Sequence, residues 1–304
     1  MIQRFSFGHP FPTQSVVLSL PAESGLVPFL TPDGSGWQLT LSEQAAVYGL
    51  GEMPRGINKR GWHYITNNTD ESRHSEDKLS FYGAHNFLLM RDGSTCFGLF
   101  VDFPGKVYYD IGYTRHDLFS FHTETPDYDL YLLSGENENA ICKEFRTLIG
   151  RSYIPPRWAF GLAQSRWGYK TEEDVREVAR QYKEHDLPLD MICMDIDYMQ
   201  DYADFTVNRE RFPDLAKLSA DLKAQGIRLV PIIDAGVRID PNDPTCTEGL
   251  EKGYFCKKAD GTPFVAAVWP GKAYFADFLR PEVREWFGHK YKALTDCGIE
   301  GFWN

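Results

Sequence analysis

From Trp158 onward the sequence repeats one alternation, a short apolar run followed by a segment whose apolar residues recur at helical spacing. The apolar runs are "WAFGLAQS", "LDMICMDI", "IRLVPIID" and "IEGFWN". Between them come Val175, Val178, Ala179 and Tyr182, then Leu215, Leu218 and Leu222, then Val283, Trp286, Phe287, Tyr291 and Leu294. Strands that are apolar on both faces must be covered on both faces, and a parallel sheet crossed over by helices does this. The punctuation agrees. Thr171 with Asp174, Pro213 and Pro281 read as helix starts, and Gly226 and Gly298 as stops. Four such strands make either a small doubly wound sheet or the first half of an eight-stranded barrel. Residues 151–304 are too few for a whole barrel of about 250 residues.

Residues 1–150 follow a different period. "SVVLSL", "WQLTLS", "NFLLM", "CFGLFVDF", "KVYYDIGY" and "YDLYLL" are short β-rich runs, several of them alternating, and Asp92-Gly93 marks a hairpin. Packed antiparallel sheets in a sandwich are the expected outcome. Ile141, Phe145 and Leu148 then predict a helix, and Pro155-Pro156 a boundary.

Composition removes several function classes. A net charge of −11 lacks the basic footprint of a nucleic-acid partner. No apolar run approaches the roughly 20 residues of a membrane span, and the start "MIQRFSFGHPFPTQ" lacks a signal-peptide pattern. Six scattered cysteines without a CxxC pair read as reduced thiols, so a cytoplasmic location is expected. "GLGEMPRG" has the wrong spacing for a dinucleotide loop, and GxSxG, HExxH and phosphate-loop motifs are absent. Aromatic residues make up 14%; they fill cores first, but their flat rings also stack on sugars and bases.

In parallel α/β folds the chemistry gathers at the carboxyl ends of the strands. Those ends read Gln164-Ser165-Arg166-Trp167, Asp195-Ile196-Asp197-Tyr198, Asp234 and Trp303-Asn304. Asp195 and Asp197 would share one face of a strand. With Asp201 and Asp204 they offer hard oxygen ligands for a divalent ion. Equally, a carboxylate there could grip the vicinal hydroxyls of a sugar. For Asp201 and Asp204 a solvated loop is the simpler reading. The residues alone give a sugar-like site without a visible catalytic pair.

Taken in order, "SRWGY", "MDIDYMQDYADFTVN", "LVPIIDAGV", "VWPG" and "GFWN" resemble the catalytic domain of glycoside hydrolase family 31, closest to its bacterial α-glucosidases. "VYGLGE" and the stretch from Trp62 to Tyr82 resemble that family's N-terminal β-sandwich. The resemblance implies a β-sandwich domain at 1–150 followed by the first four β/α units of a (β/α)8 TIM barrel at 151–304. It implies a retaining α-glucosidase acting on terminal non-reducing α-linked glucose of oligosaccharides, without metal or cofactor. Carried over residue by residue, Asp195 would bond the far hydroxyls of the bound glucose and Ile196 would wall that pocket. Ile232 and Asp234 would lie in the same pocket, Trp269 and Trp303 around the ring, and Asp70 toward the second sugar. Trp167 stands where many relatives have Tyr. After "VWPG" the family's usual Pro-Asp and Asn-Pro are replaced by Ala276-Asp277-Phe278-Leu279-Arg280-Pro281.

The resemblance puts the family's nucleophilic aspartate directly after Asn304 and its acid/base further on. The 304-residue chain by itself is therefore expected to be inactive. The alternatives are a naturally truncated carbohydrate-binding protein, another specificity of the family such as α-xylosidase, and, well below these, a metal-dependent sugar-nucleotide transferase. Open apolar edges in a half barrel leave room for a homo-oligomer.

Overall fold

The computed structural model describes residues 1–34 and 36–304, which fall into two units, Met1–Tyr153 and Ile154–Asn304. The first unit runs β1 (Ile2–Phe7), β2 (Thr31–Asp33), β3 (Gly36–Thr40), β4 (Ala46–Gly51) and β5 (Trp62–Thr66). It continues with β6 (Ala84–Asp92), β7 (Thr95–Asp102), β8 (Val107–Ile111), β9 (Leu118–Thr123), β10 (Tyr128–Ser134) and α1 (Glu138–Ile149). Two five-stranded sheets form, ordered β1-β10-β7-β6-β4 and β2-β3-β9-β8-β5, and every pairing in them is antiparallel.

Strand period explains the packing. Val107, Tyr109 and Ile111 alternate inward on β8 and Phe119 and Phe121 on β9, meeting Leu88, Leu99, Val101 and Leu130 of the other sheet. β10 is buried along nearly all its length because both its faces are covered. Leu130 and Leu132 face the sandwich core, whereas Tyr131 and Leu133 lie under Ile141 and Leu148 of α1. The Asp92-Gly93 hairpin forms as expected, with Asp92 opposite Thr95. "SVVLSL" is not a strand. Val16, Leu18 and Leu20 do alternate inward against the cluster beneath α1, but they pack on side chains and join no ladder. Alternation reports a half-buried extended segment, and pairing is a separate condition.

The glycines of "GLGEMPRG" serve a bulge. Gly49 (φ +120°) and Gly51 (φ +78°) flank buried Leu50, and the β4–β6 register slips between them. A Cβ on Gly49 would lie 2.4 Å from the Phe87 carbonyl oxygen, and one on Gly51 2.2 Å from that of Gly83.

The second unit contains β11 (Ala163–Arg166), α2 (Glu172–Glu184), β12 (Met191–Met194), α3 (Leu215–Ala224) and β13 (Arg228–Pro231). An insertion follows, with β14 (Gly236–Arg238), α4 (Pro244–Glu251), β15 (Val265–Val268) and β16 (Gly271–Phe275). The chain then enters α5 (Pro281–Lys290) and α6 (Lys292–Thr295). β11, β12 and β13 are parallel and adjacent in chain order. The fourth run arrives beside β13 as a single parallel bridge, Ile232 to Trp303, and not as a full strand. The Ile233 N–H donates to the Trp303 carbonyl at 2.9 Å and the Trp303 N–H to the Pro231 carbonyl at 3.3 Å.

α2 carries the capping box read from Thr171 and Asp174. Asp214, rather than Pro213, caps α3. The single long helix expected after Pro281 breaks at Tyr291 into two. The "WAF" of "WAFGLAQS" lies in a 3-10 turn ahead of β11. Among the described residues no helix is long and apolar enough to cross a membrane.

Gly49→Ala is expected to destabilise the sandwich unit by about 1–3 kcal/mol, because it meets backbone on one side and a left-handed φ on the other. A urea midpoint within error of wild type would contradict this account of the bulge.

Candidate active site

The parallel register places Arg166, Met194 and Pro231 side by side at the carboxyl ends of β11, β12 and β13. The residues that follow them, Trp167, Asp195 and Ile232, therefore leave the sheet at one level. Asp195 closes β12 and begins a 3-10 turn over Ile196–Tyr198, its Oδ1 accepting the Ile196 N–H at 2.7 Å. The turn removes the premise of the metal reading: Asp195 and Asp197 do not share a strand face. Among the described residues no group of three or more His, Cys, Asp or Glu side chains could hold a metal.

The turn is anchored by Tyr198. Its ring is fully buried, and its hydroxyl donates to the Ile232 carbonyl at 2.8 Å, tying the end of β12 to the end of β13. Trp303 adds a second tie, its indole N–H donating to the Met194 carbonyl at 3.2 Å. Ile196 and Ile232 are buried beside these contacts.

Asp234 stands where the chain leaves β13 for the insertion. Burial pushes its carboxyl up from the ordinary aspartate range, while the Trp269 backbone N–H that faces it holds it down. Trp269 reaches that place through a close approach. A Cβ on Gly236 would lie 2.5 Å from Val268 Cγ2, so glycine makes room for the Val268 side chain, which reaches over from the end of β15 to the start of β14. Trp269 then follows at the β15–β16 turn with its ring 66% exposed, and Trp167 is similarly open at 68%.

The structure thus brings Ile232, Asp234, Trp269 and Trp303 together around the end of β13, with Asp195 and Ile196 beside them and Trp167 following β11. Asp70 belongs to the other unit, where it is exposed and its Oδ1 accepts the Tyr82 hydroxyl at 2.6 Å.

Asp204 departs from the solvated-loop reading. It is 5% exposed, its Oδ1 accepts the Asp234 N–H at 3.1 Å, and its Oδ2 is buried with no hydrogen-bond partner among the described residues. Burial, with the negative charges of Asp234 and Asp243, raises its carboxyl to about 8. The loop around it is drawn inward by Phe205, whose ring packs on Phe287 at 5.0 Å and Tyr291 at 5.2 Å. Asp201, Tyr202 and Phe205 adopt positive φ to allow this. A run rich in aspartate looks solvent-facing in sequence; the one signal against that reading was the aromatic residue directly after Asp204.

The chain thus combines an antiparallel β-sandwich unit with a parallel β/α sheet whose carboxyl rim carries carboxylates and indoles. Residues 152–304 match the glycosyl hydrolases family 31 TIM-barrel domain, and residues 26–110 match the glycosyl hydrolase 31 N-terminal galactose mutarotase-like domain. The chain belongs to glycoside hydrolase family 31. It is therefore built as a galactose mutarotase-like β-sandwich followed by the start of a TIM barrel.

Alpha-glucosidase 2 of Bacillus thermoamyloliquefaciens is 41% identical over 87% of the chain, which covers 34% of that protein. Alpha-xylosidase 1 of Arabidopsis thaliana is 31% identical over 87% of the chain, which covers 29% of it. A GH31 dextranase of Flavobacterium johnsoniae, solved in complex with glucose, superposes with a TM-score of 0.80 at 25% identity, over 91% of this chain and 34% of that one. The chain thus spans about a third of the length of the curated relatives it matches.

Tyr198→Phe is expected to cost about 1–3 kcal/mol by leaving the buried Ile232 carbonyl without its donor. Chemical denaturation of the variant, with an unchanged midpoint as the contrary result, tests whether this bond joins the two strand ends.

Proposed function

We propose that this chain is the sugar-binding part of a retaining α-glucosidase that removes terminal non-reducing α-linked glucose from oligosaccharides. Residues 1–150 form its sandwich domain, and 151–304 the first four β/α units of its catalytic barrel. The observation that carries the reading is the cluster at the β13 end: Asp234 faces the Trp269 backbone N–H, Ile232 is bridged to Trp303, and Asp195 closes the neighbouring strand. The identity to Alpha-glucosidase 2 supports glucose as the sugar.

The chemistry suits a neutral polyol. Fixed carboxylate acceptors at Asp195 and Asp234 bond hydroxyl donors, and a site built around such bonds rejects sugars that lack them. The exposed indoles of Trp167 and Trp269 offer apolar faces to the C–H face of a pyranose ring. Ile196 closes the pocket beyond Asp195. Retaining hydrolysis also needs two carboxyl groups about 5–5.5 Å apart, one attacking and one protonating the leaving oxygen. This reading assigns neither to residues 1–304 and puts the nucleophile immediately after Asn304. No metal or cofactor is needed, oligosaccharide is the partner, and a cytoplasmic location fits the scattered thiols.

The test is an aryl α-glucoside assay on the polypeptide that carries this chain with a complete barrel, beside the 304-residue chain. Turnover is expected from the first and none from the second. Asp195→Ala in the complete enzyme should lower kcat/KM by roughly 100-fold or more. Activity close to wild type would remove Asp195 from the site, and hydrolysis of an α-xyloside in preference to an α-glucoside would replace the specificity.

A further inference from the structure

We propose that Asp204 is held as a neutral carboxylic acid behind the sugar pocket and is the positioning residue for Asp234. The inference deepens the α-glucosidase reading and rests on it for the role of Asp234. Its structural basis is independent of that reading.

Three observations carry it. Asp204 grips the backbone of Asp234, its Oδ1 accepting that N–H at 3.1 Å, so its placement sets where the Asp234 carboxylate begins. The Oδ2 atoms of both residues are buried, and neither has a hydrogen-bond partner among the described residues. Two neighbouring carboxyl groups, each with a buried oxygen whose lone pairs are unmet, cannot both ionise cheaply, and one proton between them removes the conflict. The surroundings decide which residue keeps it. Asp234 is half-exposed and faces the Trp269 N–H, which favours its charged form. Asp204 is 5% exposed and faces Asp234 and, from the start of α4, Asp243.

The other titratable groups acting with Asp204 are the hydroxyls of Tyr198 and Tyr291, both pushed up by burial and therefore neutral. Arg238 of β14 is engaged with Asp201 at 3.6 Å and Asp240 at 4.0 Å. A pair of carboxyl groups driven apart in this way divides the labour: one stays charged to bond hydroxyls, the other stays neutral to hold it.

The sign of the pH dependence follows. An aspartate raised from about 3.9 in the unfolded chain to about 8 in the fold binds more protons when folded. The arrangement is therefore undisturbed at low pH and progressively opposed as pH rises across that window. Above about 8 Asp204 ionises against Asp234 and the pocket loosens.

The experiment uses the full-length enzyme carrying this chain, as wild type, Asp204→Asn and Asp204→Ala, with thermal unfolding to confirm that each variant folds. The infrared spectrum of wild type at pH 7, minus that of Asp204→Asn, should show the carbonyl stretch of a protonated carboxylic acid. Its absence overturns the proposal whatever the enzyme hydrolyses. On an aryl α-glucoside, Asp204→Ala should raise KM about tenfold with a smaller change in kcat, whereas Asp204→Asn, the neutral isostere, should restore KM. Wild-type kcat/KM should fall above about pH 8, and Asp204→Asn should lack that limb. If Asp204→Asn is as impaired as Asp204→Ala at pH 7, or keeps the alkaline limb, the positioning role is wrong. A wild type without α-glucoside turnover overturns the sugar-facing role together with the function it rests on, while the infrared band still decides the proton.

Discussion

The parallel register of β11, β12 and β13 is the constraint on which the site depends. Arg166, Met194 and Pro231 end their strands abreast, so the pairing that joins β11, β12 and β13 stops at one level, beyond which β13 is bridged to Trp303. Beyond that level each chain must find new partners for its N–H and C=O groups. Several come from residues at the rim: the Asp195 carboxylate for the Ile196 N–H and the Tyr198 hydroxyl for the Ile232 carbonyl, while the Trp303 indole is a second donor to the Met194 carbonyl, which also accepts the Ile232 N–H. The groups that finish the sheet are thus the same groups that form the candidate site. Changing one of them for function alters the end of a strand.

This rim costs stability. Asp197 and Asp204 are almost wholly buried, and each has an oxygen without a hydrogen-bond partner among the described residues. Three non-glycine residues in the loop after the 3-10 turn adopt positive φ. Strain and unpartnered buried polar atoms of this kind persist only where the surroundings over-determine them. Here Phe205, seated against Phe287 and Tyr291, supplies that determination, and the apolar faces of α5 and Tyr291 support the acidic loop.

What was legible in the sequence follows from how local each cause is. Helical and strand periods depend on neighbours a few residues apart, so α1, α2 and the three parallel strands could be read directly. Alternation at Val16, Leu18 and Leu20 was legible too, but whether an extended segment joins a sheet depends on a distant edge, and here it did not. The polar strand ends at Asp195 and Asp234 were visible because they interrupt apolar runs. The 3-10 turn after Met194 was not, since it is set by the reach of Tyr198 to Ile232 across 34 positions. The burial of Asp204 escaped for the same reason: Phe205 finds its partners more than eighty positions away.

The insertion between β13 and α5 couples two parts of the candidate site that seem independent in sequence. Trp269 lies at a hairpin turn, where side chains are ordinarily free to vary. Its backbone, however, faces the Asp234 carboxylate, and the Val268 side chain just before it lies where a Cβ on Gly236 would crowd it. Asp234 in turn hangs from Asp204. Trp269, Asp234 and buried Asp204 therefore form one chain of contacts, from the exposed turn to the loop beneath it. A substitution in the hairpin that shifts the Trp269 N–H weakens the group that keeps Asp234 charged, and so reaches the carboxyl pair without touching either member. Under the proposed α-glucosidase reading, differences in sugar preference arising from this insertion would act through the placement of Asp234 as much as through the shape of the Trp269 turn.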